Sequence, residues 1–242
     1  MVKKGLLSLL LATVLACAPA PLISCSGGPA PGPVAASLQD DPDVIFNSVA
    51  LPTYKVLGKA DGASWSGSAV AISGLRLVTA AHVVTDMANQ PVQDGLIVYS
   101  ELGKTKYVAQ AKVIVLLVKY DLAIIEVNVS LPYKAKVATE DEIYQHVKWG
   151  ERVWVSGHAL GVDEPVVTHG VINSLNDSNW IRYTAPQIYG NSGGPVYSFS
   201  PSRGFVLTSI AQAGYTAGAG MVTHMSLGVN PITLYEFIRS VS

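Results

Sequence analysis

The chain has 242 residues, of which 49% are hydrophobic and 14% are charged, and its formal net charge is -1. This length and apolar content suit one large globular domain or a two-lobed unit. The near-neutral charge, without a basic stripe, excludes the electrostatic footprint on which nucleic-acid binding relies. Both cysteines, Cys17 and Cys25, lie in the first 25 residues, so the body of the protein has no internal disulfide and must be held together by packing.

Residues 1–25 are predicted to be a signal peptide. Lys3 and Lys4 precede an apolar run over 5–18, which is too short for a membrane span and is followed by small residues and prolines. The residues up to Cys25 read Leu-Ile-Ser-Cys and resemble the lipobox of bacterial lipoproteins, in which the cysteine carries the lipid. Lipidation at Cys17 and plain secretion are the alternatives. The protein is therefore expected to be exported from a bacterial-type cell, as a lipoprotein tethered to the membrane or as a periplasmic or secreted protein.

Residues 26–43 are predicted to be a flexible linker, because Gly, Pro, Ala, Ser and Asp dominate there. The folded domain is expected over 44–242, where short apolar runs alternate with Gly, Pro, Asn and Asp. One amphipathic helix is predicted over 231–240. Strands are predicted for eleven runs: 65–72, 76–79, 96–100, 106–119, 122–127, 152–156, 166–174, 180–184, 195–199, 205–211 and 221–229. This succession favours an all-β barrel or sandwich.

Three segments carry residue types that are used in catalysis. An apolar strand ends in Thr-Ala-Ala-His at His82, and Asp121 begins the run Asp-Leu-Ala-Ile-Ile. The third segment, 190–195, reads Gly-Asn-Ser-Gly-Gly-Pro, and its small residues let backbone amides crowd around the Ser192 hydroxyl. Taken singly, each segment is an ordinary turn or strand start. Together they supply a nucleophile, a base and an acid.

In this order the three segments resemble the signature of the chymotrypsin-like (trypsin-fold) serine proteases. The resemblance covers 44–242. The stretch 65–70 is similar to the Gly-Ser-Gly strand that precedes the histidine in this family, and 157–172 and 180–187 are similar to the bacterial high-temperature-requirement branch. It implies an all-β fold of two six-stranded antiparallel β-barrels with a short C-terminal helix. Val83 stands where the animal digestive enzymes have a cysteine. No PDZ module follows the domain, so cage assembly in the manner of that branch is not expected.

The resemblance implies a serine endopeptidase that hydrolyses protein or peptide substrates through an acyl-enzyme. His82 is then the general base, Asp121 orients it, Ser192 is the nucleophile, and the amides of Gly190 and Ser192 form the oxyanion hole. Asp86 lies one helical turn after His82 and is the alternative to Asp121 as the orienting acid, but it is not followed by an apolar strand as Asp121 is. No cofactor or metal is expected, because the other histidines show no metal-ligand spacing: His146, His158, His169 and His224.

The same resemblance assigns three segments to the walls of the primary specificity pocket: Ala185, Pro186, Gln187 and Ile188; Gln212, Ala213 and Gly214; and the segment from His224 to Gly228. No acidic residue lies just before the serine, so a strict preference for Arg or Lys is not expected. An apolar pocket for small or medium side chains is the first expectation, and a glutamate preference involving His224 is the alternative. Two other functions use the same fold. One is a catalytically silent binding module, although all three triad residues are present here, and the other is an esterase-type hydrolase.

Overall fold

The computed structural model describes residues 37–60, 62–92, 94–102, 106–175, 178–217 and 220–241. The predicted signal peptide, both candidate lipidation cysteines and the linker up to residue 36 lie outside the described residues. The end of the predicted linker is ordered, since a helical turn at Leu38–Asp40 is fixed by a hydrogen bond of 2.7 Å from Arg152 to the Asp40 carboxylate. The folded chain thus begins before the predicted boundary at Val44.

Within the described residues, twelve strands form two closed antiparallel barrels of six strands each. This confirms the predicted fold. The first barrel has the order β1-β2-β3-β6-β5-β4, with the bounds β1 Thr53–Ala60, β2 Ala63–Ala71, β3 Arg76–Thr79, β4 Leu96–Ser100, β5 Tyr107–Leu117 and β6 Leu122–Val127. The second has the order β10-β11-β12-β9-β8-β7, with the bounds β7 Arg152–Gly157, β8 Val166–Ser174, β9 Trp180–Tyr183, β10 Pro195–Ser200, β11 Gly204–Ala217 and β12 Gly220–Val229.

Three short α-helices flank the barrels: α1 Pro42–Ile45, α2 Glu140–His146 and α3 Pro231–Ser240. The last of these matches the predicted helix. Its start is fixed by Asn230, whose side-chain oxygen accepts hydrogen bonds from two amides of the first turn, and by Pro231, which needs no amide partner there. No helix among the described residues has the length and apolarity that crossing a bilayer requires.

The strand β1 and the helix α2 were not predicted. The apolar run of β1 is interrupted by Lys55 and Gly58, although Tyr54 and Val56 are fully buried. The helix α2 carried a readable signal, because Thr139 and Glu142 form a capping box in which each side chain accepts a hydrogen bond from the other's backbone amide.

The two barrels are joined by a shared apolar cluster. Leu122 and Ile124 of β6 pack in it with Tyr197 of β10, Phe205 of β11 and Leu234 of α3. These side chains are almost completely buried, and burial of each of the Leu, Ile and Phe side chains contributes about 1.5–3 kcal/mol. This packing sets the position of one barrel against the other, and hence of the loops that meet at their junction.

Candidate active site

His82, Asp121 and Ser192 lie in three loops at the junction of the barrels. His82 follows β3, Asp121 directly precedes β6, and Ser192 lies before β10 in the second barrel. His82 and Ser192 line the same surface depression, which has a volume of about 340 Å³.

The imidazole of His82 is held by Asp121 through two hydrogen bonds. Nδ1 lies 2.8 Å from Oδ2 of Asp121, and the backbone amide of His82 donates to Oδ1 at 2.9 Å. Because a carboxylate only accepts, Nδ1 carries the proton and Nε2 is left as an acceptor. Asp121 itself adopts a left-handed backbone conformation, with φ of 51°, which Asp and Asn tolerate better than most residues.

Asp86, the rival acid, is engaged in its own turn. Its Oδ1 accepts hydrogen bonds from the amides of Ala88 and Gln90 at 2.9 and 2.8 Å. The carboxylate beside the His82 ring is therefore that of Asp121.

Ser192 is fixed by its backbone, while its hydroxyl has a weaker partner. The Ser192 carbonyl accepts a hydrogen bond of 2.8 Å from the amide of Ser68 on β2. The hydroxyl donates to the carbonyl of Gln212 at 3.2 Å. It makes no hydrogen bond to His82 among the residues described.

The amides of Gly190 and Ser192 donate no hydrogen bond within the described part of the chain, whereas the intervening Asn191 amide donates to the Ile188 carbonyl at 3.1 Å. Gly190 has φ of 93°, and a Cβ there would overlap the carbonyl oxygen of His158. Glycine is therefore required at this position for steric and conformational reasons.

Gln212 serves the site with both its main chain and its side chain. Its carbonyl meets the Ser192 hydroxyl, and its Nε2 donates to the carbonyls of Tyr120 and Asp121 at 2.7 and 2.9 Å. The alternation of β11 is broken at Gln212 by a register shift against β12, which turns this side chain toward the first barrel. Gln212 thus supports the backbone of Asp121.

Gln187 lines the depression and is held by hydrogen bonds to the protein at both ends of its amide. It is 4% exposed, its Oε1 accepts a hydrogen bond of 2.8 Å from Tyr183, and its Nε2 donates to the carbonyl of Ala213. Both ends of its amide are therefore occupied by the protein. Burial raises the pKa of the Tyr183 phenol far above its usual range, so this hydroxyl remains a donor.

The predicted wall residues fall into two groups. Five of them line the depression beside Ser192: Gln187, Ile188, Gln212, Ala213 and Gly214. The others lie outside its lining: Ala185 and Pro186 bond through their carbonyls to Ser226 and Thr168, and the 224–228 segment begins with His224, which is exposed on β12. The lining also includes two residues that sequence reasoning missed, Tyr189 and Thr216; their places next to the predicted segments were the available signal.

No three side chains of His, Cys, Asp or Glu within the described ranges are close enough together to hold a metal ion. His82 has the carboxylate of Asp121 beside it, with Nδ1 2.8 Å from Oδ2.

His158 lies beside residues 190–195, called the glycine turn here, and is completely buried. Its Nδ1 lies 3.0 Å from the carbonyl of Val162, to which it donates as a neutral ring. Burial, together with the nearby charge of Lys55, lowers the pKa of His158 from its ordinary value to about 4. The imidazole is therefore neutral at physiological pH.

We expect His158 to make the fold sensitive to acid. Since its pKa is about 4 in the folded chain and 6.5 as the reference value, its contribution is fully present above pH 6.5. It is lost as the pH falls from 6.5 to 4, by about 3 kcal/mol in total. Urea unfolding at pH 7 and pH 4 measures this loss, which His158→Gln should reduce; His224→Gln, at an exposed imidazole, is the matched control. Equal losses in the parent and His158→Gln would contradict the assignment.

The model of the trypsin-like peptidase domain matches residues 67–203 of the chain. This match covers more than half of the sequence, so the protein belongs to the trypsin-like peptidase family, as its motifs predicted. A curated relative, the putative protease Do-like 12, mitochondrial, of Arabidopsis thaliana, is 30% identical over 163 residues. The aligned region is 64% of this chain and 31% of that protein.

Solved structures share the fold at lower identity. The serine endoprotease from Yersinia pestis is 19% identical with a TM-score of 0.63, over 81% of this chain and 64% of that one. An HtrA-type protease with a tripeptide is 21% identical with a TM-score of 0.64, over 81% of this chain and 62% of that one. The chain thus spans about a third of the curated relative and less than two thirds of these solved chains.

Proposed function

We propose that the protein is a serine endopeptidase that uses Ser192 as nucleophile, His82 as general base and Asp121 as the orienting acid. The observation that carries this proposal is the two-point contact of Asp121 with His82, at 2.8 and 2.9 Å, beside a depression that also contains Ser192. The membership of the trypsin-like peptidase family supports it.

In the proposed reaction the Ser192 hydroxyl leaves the Gln212 carbonyl and gives its proton to Nε2 of His82. The alkoxide attacks the peptide carbonyl, and the resulting imidazolium is stabilised by the Asp121 carboxylate. Nε2 then protonates the leaving amine as the peptide C–N bond breaks. In the second half of the reaction Nε2 takes a proton from water, the hydroxide attacks the acyl carbon, and the bond to Oγ breaks as Ser192 regains its proton from Nε2.

We assign the oxyanion hole to the amides of Gly190 and Ser192. Their lack of partners within the described chain leaves both donors available for the tetrahedral intermediate. One such donor typically contributes about 3–4 kcal/mol to the stabilisation of the transition state.

For the residue before the cleaved bond we propose a small or medium apolar side chain. Apart from His82, the lining of the depression is uncharged: Gln187, Ile188, Tyr189, Gln212, Ala213, Gly214 and Thr216. The Gln187 amide, which is part of this lining, is already paired at both ends. The exposed His224 is outside this lining, so the apolar alternative is better supported than the glutamate preference.

Covalent labelling by a fluorophosphonate probe tests the proposed function. We expect the folded parent chain to be labelled and Ser192→Ala to show no labelling, because only an activated hydroxyl attacks the probe at a useful rate. An unlabelled but folded parent would support the silent binding module. A labelled parent that cleaves esters but no member of a peptide library would support the esterase.

A further inference from the structure

The glycine turn, which contains Ser192, is hydrogen-bonded to the turn at residues 158–163, both directly and through Ser68. The amide of Leu160 donates to the carbonyl of Tyr189 at 2.6 Å. The carbonyl of Gly190 accepts from the Ser68 hydroxyl at 2.7 Å, and that hydroxyl in turn accepts from the amide of His158 at 2.8 Å.

The contact from Leu160 determines where the Gly190 amide points. The carbonyl of Tyr189 and the N–H of Gly190 belong to one planar trans peptide unit, so they point in opposite directions. Since Leu160 holds the carbonyl on the side of the 158–163 turn, the N–H of Gly190 faces away from that turn. The turn therefore orients one of the two amides that we assign to the oxyanion hole.

The 158–163 turn has hydrogen bonds of its own, from the Gly161 amide to the His158 carbonyl at 2.9 Å and from His158 Nδ1 to the Val162 carbonyl at 3.0 Å, but it is strained at Leu160. Leu160 has φ of 53°, a left-handed conformation that costs a non-glycine residue about 1–2 kcal/mol. The residue is 72% exposed, so little buried area offsets that cost. A contact from outside the turn therefore adds to its stability.

Lys55 on β1 supplies that contact from the other barrel. Its Nζ donates to the carbonyl of Gly161 at 2.5 Å and to Oδ1 of Asp163 at 2.9 Å. The Lys55 side chain is 10% exposed, whereas that of Asp163 is 61% exposed. The ammonium beside it lowers the pKa of Asp163. An ammonium buried to this extent is stable only with such partners, so Lys55 and the turn hold each other in place.

We propose that Lys55 is a positioning residue for catalysis, which acts by clamping the 158–163 turn so that the Gly190 amide faces the reacting carbonyl. This inference rests on the proposed peptidase function. It makes the geometry of the oxyanion hole depend on a side chain from the first barrel, although both proposed donors belong to the second.

The test compares Lys55→Met, which keeps the chain length and removes the ammonium, with Lys55→Arg, which keeps a donor. Lys106→Met is the matched control, because the ammonium groups of Lys55 and Lys106 lie over the same ring, 6.0 and 5.1 Å from the centroid of Tyr99. Unlike Lys55, Lys106 is 62% exposed, and it pairs with Glu101 at 2.9 Å. Three quantities are measured: kcat per active site, with the sites counted by fluorophosphonate labelling; KM; and the amide hydrogen exchange of the peptide spanning residues 186–193.

For Lys55→Met we expect kcat to fall about tenfold or more with KM within twofold, which is less than the 10²- to 10³-fold loss of a whole donor. Exchange in 186–193 should become faster. Lys55→Arg should recover most of kcat, and Lys106→Met should match the parent. A role in stability alone would lower the urea midpoint and the number of active sites, but not kcat per site, and that result would overturn the proposal.

Failure of this inference is distinguishable from failure of the proposed function. If the folded parent is not labelled at Ser192, the peptidase proposal fails and takes the catalytic role of Lys55 with it. The exchange rates would then still report whether Lys55 holds the turn. If the parent is active and exchange in 186–193 is the same in Lys55→Met, the peptidase proposal stands and the clamp is overturned.

Discussion

Replacing Asp121 by asparagine is expected to lower kcat by about 10⁴-fold while the chain remains folded. The carboxylate accepts from both Nδ1 and the amide of His82. An asparagine can satisfy Nδ1 by donating its NH₂ group, which favours the tautomer protonated at Nε2. In that tautomer His82 cannot accept the Ser192 proton.

The conformation of Asp121 makes this substitution informative. Asparagine tolerates the left-handed φ of 51° about as well as aspartate, so the backbone should not change. Steady-state kinetics and a thermal unfolding curve measure the two effects separately. Asp86→Asn, in a neighbouring turn, is the matched control and should retain the parent's kcat. If Asp86→Asn abolished activity and Asp121→Asn did not, the assignment of the acid would be wrong.

The second large effect is expected from Gly190→Ala, which should lower kcat/KM by about 10²- to 10³-fold, the cost of one oxyanion donor. The new methyl group would overlap the carbonyl oxygen of His158 and lie close to the amides of Leu160 and Gly161. Because these neighbours are backbone atoms, the glycine turn has to move, and the Gly190 amide moves with it.

Gly204→Ala is the control for this experiment. Gly204 also has a positive φ, of 77°, but a Cβ there would have no atom within 4 Å. The control therefore carries only the left-handed cost of about 1–2 kcal/mol and should retain the parent's kcat/KM. Parent-like kinetics in Gly190→Ala would mean that the Gly190 amide is not a catalytic donor.

The elements that could be predicted are those with a strong local pattern. The helix α3 has a proline in its first turn and a clear apolar face, and its predicted bounds agree with the structure. The strands β3, β4, β6 and β8 also match their predicted bounds. The family was readable because three short motifs in order specify it, and the match over 67–203 agrees.

The residue roles that could not be predicted depend on contacts between distant parts of the chain. Lys55 reads as a surface residue, and only the turn at 158–163 explains why a lysine is buried within β1. Gln212 lines the depression as predicted. Its second role could not be predicted, because a register shift in β11 turns its side chain to the backbone of Tyr120 and Asp121. No periodicity along either segment contains this information.

The shared apolar cluster between the barrels has a consequence for how the protein would lose activity. The proposed base and acid belong to the first barrel, the proposed nucleophile to the second, and Lys55 and Gln212 reach across between them. Catalysis then depends on the interface between the two barrels. A small rigid-body displacement of one barrel against the other separates the reacting groups while the hydrogen bonds within both barrels stay intact. Mild heat or denaturant would therefore inactivate the enzyme before it unfolds. Activity would report displacement of the two barrels more sensitively than any measure of secondary structure.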